Sequence, residues 1–208
     1  MEIKQDFVYK GTRILFGSKG ASKRKILNKF TAHLEEAGFQ EMFIPIIQFQ
    51  ETFKDKVGDN KNLMFNFLDR GDRQLCLAPE YTALCQKLAS TEFKFRKDVK
   101  LFYIGECFRG EKPQKGRYRQ FTQFGVEVLN PSKDYTDSLI MLSKQLLNFV
   151  TTEYIVNLNV SRGHDYYVDG KGFDIEIKTL GSQSQVCGGG SYDKGIGFAI
   201  GIDRLLEI

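Results

Sequence analysis

The 208 residues are 41% hydrophobic and 13% aromatic, enough to bury one substantial core, so a single domain over 1–208 is expected. Thirty basic residues against 26 acidic ones give a net charge of +4, a mild excess that permits an anionic partner without demanding one. Cys76, Cys85, Cys107 and Cys187 show no CxxC spacing, which argues against a metal site and for reduced thiols. The start "MEIKQDFVYKGTR" has no signal-peptide core and no window forms a membrane span, so a soluble, cytoplasmic protein is expected.

Ser22 to Ala37 sets Ile26, Leu27, Phe30, His33 and Leu34 at helical spacing, with Gly38 as the stop. Residues 39–49, "FQEMFIPIIQF", read as one strand, and Pro45, lacking an N–H for a ladder, places it at an edge or an interface. "LMFNFLDR" and "RQLCLAP" flank Gly71 as a hairpin, and Pro79 stands before a helix from about Glu80 to Ala89. Asp98–Phe108 and Tyr118–Leu129 are strands joined by a cationic loop, and Asp134–Val150 is a helix. Tyr154–Val160, Gly172–Lys178 and Gln183–Cys187 are further strands, followed by a glycine-rich stretch, the strand "GFAIGI" and the start of a helix at "DRLLEI". Hairpin-joined strands without a repeated strand-helix-strand unit predict an α+β domain, a mostly antiparallel β-sheet flanked by helices.

The chemistry concentrates in "FRGEKPQKGRYRQFTQFGVE", residues 108–127. Arg109 offers a planar fork to phosphate or carboxylate, Glu111 an acceptor for an amine or hydroxyl, and Phe121 a flat face for a base, which together match the parts of ATP. A solvated hairpin of alternating charge is the competing reading. Gln123 and Glu127 share one strand face, and Gly125 between them leaves an open spot that suggests a small-ligand pocket. "SRGHDYY" adds Arg162 as a second cation, with Tyr166 and Tyr167 as hydroxyl donors and His164 as either a proton carrier or a structural residue. "CGGGSYD" either brings backbone close to a ligand or forms an ordinary turn. Gly201 ends the last strand, and Arg204 lies in the first turn of a helix, where backbone N–H groups favour anions.

In this order the motifs resemble the catalytic domain of class II aminoacyl-tRNA synthetases, closest to histidyl-tRNA synthetase. "GTR" and "FIPII" resemble the start of that domain and motif 1, "LAPEYTAL" resembles "LRPEGTA", and residues 108–127 resemble motif 2. "SRGHDYY" resembles a histidine-specific motif, "GGGSYD" resembles "GGRYD", and "GFAIGIDRL" resembles motif 3. The resemblance implies ATP and Mg2+ as cofactors. Arg109 would bind the α-phosphate, Glu111 and Phe121 the adenine, and Arg204, beside Gly201, the γ-phosphate. It also implies that Glu80, Thr82 and Gln123 hold the α-ammonium, that Glu127 and Tyr167 bind the imidazole, that Tyr166 belongs to the amino-acid site, and that Tyr192 lines the pocket. Arg162 would stabilise charge between carboxylate and phosphate, making Arg109, Arg162 and Arg204 the catalytic set. Lys112, Gln114, Lys115 and Arg117 would face an acceptor RNA, with Arg119, Tyr118 and Phe121 adding charge and rings. The family further implies a homodimer.

The chain departs from the family pattern in several places. Only 35 positions (162 − 127) separate Glu127 from Arg162, so the family's insertion domain is expected to be missing, and no anticodon-binding domain follows motif 3. Ala78, Tyr81, Thr122, His164 and Ser191 replace family residues, and the ring of Tyr81 is expected to shrink or reshape the amino-acid pocket. Three functions follow: a compact ligase that adenylates histidine or a related amino acid and passes it to tRNA, a ligase with a small-molecule or carrier-protein acceptor, and a non-catalytic paralogue resembling the regulatory subunit of ATP phosphoribosyltransferase.

Overall fold

The computed structural model describes residues 7–54, 62–161 and 167–208. Helix α1 (Gly17–Glu36) begins earlier than its apolar period, because its first turns are a polar, exposed lead-in on which periodicity is silent. Leu27, Phe30 and Leu34 form its buried stripe, and Gly38, at φ +80°, supplies the left-handed residue that ends it.

The strand expected over 39–49 is two strands. β1 (Gln40–Glu41) pairs parallel at one edge of the main sheet, and β2 (Ile47–Phe49) joins a second, smaller sheet. Pro45 lies between them, where its missing N–H does no harm, and its carbonyl accepts the Gln48 side-chain amide at 2.6 Å. β3 (Asn66–Leu68) and β4 (Gln74–Leu77) pair antiparallel around Gly71, and the small sheet runs β2-β4-β3.

Helix α2 (Thr82–Ser90) leads to the long hairpin of β5 (Val99–Phe108) and β6 (Gln120–Leu129), in register from Val99 opposite Leu129 to Phe108 opposite Gln120. Helix α3 (Thr136–Leu147) follows, then β7 (Ile155–Val160), β8 (Tyr167–Glu176), β9 (Gln185–Tyr192), β10 (Gly195–Gly201) and the short α4 (Ile202–Leu205). The main sheet is ordered β1-β5-β6-β10-β9-β8-β7, antiparallel apart from the β1–β5 pair. The "CGGGSYD" stretch is not a turn, because its glycines lie inside β9 and the turn falls at Asp193 and Lys194.

The period-two alternation of β5 and β6 sorts their side chains between two cores. On one face Phe102, Phe124, Val126 and Val128 pack against Leu27, Phe30 and Leu34 of α1 and Leu139, Leu142 and Leu146 of α3. On the other, Leu101, Tyr103, Cys107 and Leu129 meet Ala78, Tyr81, Cys85 and Ala89, the last two from α2. All four cysteines are buried free thiols. Phe124 is central to the first core, stacked on Phe102 at 5.7 Å and edge-on to Phe30 at 5.2 Å. Truncation of Phe124 to Ala should cost about 3–5 kcal/mol of unfolding free energy in urea titration. A loss below about 1 kcal/mol would contradict this account of the core.

Candidate active site

The floor of the site is made by side chains that lie across glycines of neighbouring strands. Any Cβ at Gly105 would overlap the Tyr81 ring, and one at Gly125 would overlap the Cζ and hydroxyl of Tyr103. At Gly197 it would meet the Glu127 carboxyl, and at Gly195 the Tyr192 ring. Glycine is needed at each because a second side chain occupies the space above it. The open spot expected over Gly125 is therefore filled by Tyr103. Tyr81, expected to reshape the pocket, is instead buried over Gly105 and donates its hydroxyl hydrogen bond to the Glu106 carbonyl at 2.8 Å.

Beneath the cleft lies a buried polar cluster. Tyr192 donates to one Glu127 oxygen at 2.6 Å and Thr82 to the other at 3.3 Å. Burial, reinforced by the nearby Glu80 carboxylate, pushes the Glu127 carboxyl up to about 8 despite those hydrogen bonds. Glu80 accepts the Thr82 and Ala83 backbone N–H groups at 2.7 and 2.9 Å, so it caps α2 from just outside the helix. Gln123 accepts a hydrogen bond from the Cys107 thiol at 3.2 Å. Thr122, on the alternate face of β6, takes no part: its hydroxyl meets Glu106 and Lys23 on the α1 side of the sheet, each at 2.5 Å.

Above this cluster opens a cavity of about 200 Å3 whose walls bring together Arg109, Glu111, Phe121, Gly201 and Arg204 with Glu80, Thr82, Gln123 and Tyr167. Glu127 and Tyr192 lie below it and do not form its walls. Arg109 donates through Nε to the Pro79 carbonyl at 2.9 Å, with its guanidinium 5.3 Å from the centre of the Phe121 ring. That anchor fixes the fork and, among the described residues, leaves its Nη groups for a ligand.

The other two ATP candidates have protein partners. Glu111 forms an ion pair with Arg117. Arg204 donates to the Gly116 carbonyl at 3.0 Å, to the Gln183 side chain at 3.1 Å and to the Gln185 carbonyl. Burial, with Arg109 and Arg117 as like charges, shifts the Arg204 guanidinium below its usual range. The loop between β5 and β6 thus closes on the residues expected to hold ATP.

Of the loop residues expected to face RNA, Lys112, Gln114, Lys115 and Arg117 are exposed. Gln114 and Arg117 close a tight turn through paired backbone hydrogen bonds of 3.0 and 2.9 Å. Tyr118 and Arg119 are not free for that role. Tyr118 donates to Glu207 at 2.8 Å beneath Arg13, while Arg119 binds the Glu111 carbonyl at 3.0 Å and the Tyr9 hydroxyl at 2.9 Å. Ser191 sits in the β9–β10 ladder opposite Ile196. Arg162, His164 and Tyr166 lie outside the described residues, and Tyr167 opens β8 with its ring 6.4 Å from that of Tyr192.

Sequence reasoning missed Arg13 and Asp203. Arg13 pairs with Asp203 at 2.6 Å and Glu207 at 2.7 Å, and Asp203 accepts the Thr122 backbone N–H at 2.5 Å. This ties residue 13 to α4 and to β6. The signal was the "GTR" tripeptide near the start and the "DRL" near the end, whose opposite charges only the fold brings together.

A seven-stranded, mostly antiparallel sheet carrying this hairpin and the final strand-helix unit defines a class II aminoacyl-tRNA synthetase catalytic fold. The family model described as histidyl-tRNA synthetase matches residues 15–147, and the chain belongs to that family. It is 28% identical over 308 aligned positions to the histidine–tRNA ligase of Clostridioides difficile (strain 630), covering 95% of this chain and 73% of that one. Since 308 − 208 = 100, at least 100 aligned positions of that relative have no counterpart here. The fold is similar to apo Staphylococcus aureus histidyl-tRNA synthetase, with a TM-score of 0.80 at 23% identity over 99% of this chain and 70% of that one. It is also similar to a Bacillus halodurans C protein described as an ATP phosphoribosyltransferase regulatory subunit/histidyl-tRNA synthetase, with a TM-score of 0.81 at 17% identity over 100% and 84%.

The Glu127 carboxyl gives the site a pH signature. A carboxyl whose folded value lies above its ordinary 4.5 binds more protons when folded, so its contribution to stability falls as pH rises from 4.5 toward about 8. Relative to Glu127→Gln, the wild type should lose up to about 1.4 kcal/mol per pH unit across that window, measured as urea unfolding at a series of pH values. Parallel pH profiles for the two proteins would contradict the burial of this carboxyl.

Proposed function

We propose that this chain adenylates histidine with ATP and passes it to the acceptor end of tRNA. The observation that carries the reading is the convergence in one cleft of Arg109, Phe121, Glu111 and Arg204, directly above the Glu127 cluster. The chemistry needs little proton transfer: the amino-acid carboxylate attacks the α-phosphate in line and pyrophosphate leaves, so the protein chiefly orients two anions and neutralises developing charge.

In this reading the Nη groups of Arg109 hold the α-phosphate, and Phe121, already beside that guanidinium, stacks on adenine. Glu111 exchanges Arg117 for the adenine amine, and Arg204 exchanges its carbonyl partners for the γ-phosphate. Both exchanges replace one set of hydrogen bonds by another, so the closed loop holds these side chains near their working positions. Among the described residues no three His, Cys, Asp or Glu side chains converge to hold a metal. Mg2+ bound to the ATP phosphates would add positive charge there.

Glu80, Thr82 and Gln123 line the side of the cleft that receives the α-ammonium, and the Glu127 carboxyl below them accepts from the imidazole. Arg162, carried over from the family pattern, completes the neutralisation at the reacting carboxylate. The exposed Lys112, Gln114 and Lys115 at the loop tip supply charge and hydrogen bonds for an RNA end. Phe43 is 87% exposed, and Ile46, Ile47 and Phe49 on and beside β2 are exposed as well, an apolar strip that supports a homodimer. No described helix is long and apolar enough to cross a membrane.

The likeness to the regulatory-subunit structure favours a second reading, a non-catalytic sensor that uses the same cleft. Amino-acid-dependent ATP–pyrophosphate exchange separates the two. Exchange with histidine, reduced about 100-fold in kcat by Arg109→Ala, is the expected result, the scale of one lost preorganised contact to the transition state. Silence with histidine and with every other standard amino acid would overturn the adenylation reading in favour of the sensor.

A further inference from the structure

We infer that residues 9–13 form a strap that sets the loop between β5 and β6, with Arg13 as a positioning residue for ATP that acts through Tyr118 and Asp203. The inference rests on the reading of the cleft as an ATP site. Arg13 is not one of the cleft's walls, but Tyr118 and Asp203, which it holds, both are. One Nη group donates to the Tyr118 hydroxyl at 2.6 Å and to Glu207 at 2.7 Å, and the other to Asp203 at 2.6 Å. The guanidinium lies 3.5 Å from the centre of the Tyr118 ring. One planar fork therefore joins the returning limb of the loop to α4 and the residues after it.

The rest of the strap grips the same limb. The Gly11 carbonyl accepts the Arg119 backbone N–H at 2.7 Å, and the Arg119 guanidinium reaches the Tyr9 hydroxyl at 2.9 Å and the Lys10 carbonyl at 3.3 Å. Gly11 stands at φ +91°, and a Cβ there would lie 2.8 Å from side-chain carbons of both Pro113 and Arg119. Only glycine lets the strap run this close to the loop.

These contacts differ from those inside the cleft in what ATP does to them. Arg204 holds the loop through the Gly116 carbonyl and Glu111 holds Arg117, but in the reading above ATP takes both Arg204 and Glu111. Gly11, Arg13 and Arg119 lie outside the cleft walls, so their contacts survive that exchange. They keep the loop and α4 at their spacing once the inner contacts are given up, so the ATP-binding side chains need no fresh ordering. Arg13 also offsets charge: Asp203 puts a carboxylate on the cleft wall beside Arg204, and unpaired it would repel a triphosphate.

The test measures Mg-ATP binding by calorimetry, and ATP–pyrophosphate exchange, in wild type, Arg13→Lys and Gly11→Ala. Arg13→Lys keeps the charge and loses the fork, while Gly11→Ala keeps every charge and lifts the strap. In each, the Kd for Mg-ATP and the KM for ATP should rise about tenfold while the KM for histidine stays within about twofold. A role confined to stability would lower the melting temperature and the active fraction, leaving the folded protein's affinity for ATP unchanged. Unchanged ATP affinity in either variant, tighter ATP binding, or a parallel rise for ATP and histidine would overturn the inference. So would a wild type that binds no Mg-ATP, which removes the ATP site as well. A wild type that binds Mg-ATP yet shows no exchange with any standard amino acid overturns adenylation alone, and the calorimetric Kd values then decide the inference.

Discussion

A carboxyl group buried in a sheet is the constraint around which this site is arranged. Glu127 extends across Gly197 of the adjacent strand, where no other residue would leave it room, and its two oxygens receive Tyr192 and Thr82. Thr82 is held in place because Glu80 caps the helix that begins there, so the amino terminus of α2 and the middle of β6 are fixed to each other through one carboxyl. The same logic repeats along the face: Tyr81, Tyr103 and Tyr192 each lie over a glycine of a neighbouring strand. Without these glycines the side chains would stand upright and the cleft above them would close.

The second arrangement is electrostatic and sits at the rim. Arg204, Arg109 and Arg117 crowd together, and each is steadied by an oxygen: backbone carbonyls for Arg109 and Arg204, Glu111 for Arg117. Arg13 adds a brace on the far side by binding both Asp203 and Glu207 of the terminal segment while covering the Tyr118 ring at 3.5 Å. The three arginines of the cleft thus face a common space with their mutual repulsion only partly offset. Such a space favours a polyanion, which is what a triphosphate provides.

Much of this was legible in the residues. Period-two alternation gave the hairpin of β5 and β6 and the face shared by Gln123 and Glu127, and helical spacing gave the buried stripe of α1. What sequence could not supply was reach across strands. Gly125 reads as a gap until Tyr103, 22 positions away (125 − 103), is brought opposite it, and Tyr81 looks intrusive until Gly105 accepts it. Thr122, one of the departures from the family pattern, has the parity of the other face of β6, where its hydroxyl meets Glu106. The glycine run of 188–190 resembled a turn because single-residue propensity outweighed the pairing with β8 and β10 that holds it extended.

The most direct test of the Glu127-centred pocket is thermal unfolding of wild type and Glu127→Gln, each with and without millimolar histidine. Ligand that binds only the folded state stabilises it by RT ln(1 + L/Kd) at free ligand concentration L, and so raises the melting temperature. The account predicts a clear rise for the wild type and none for Glu127→Gln. Equal rises in the two proteins would show that the buried carboxyl is not where the amino acid is recognised.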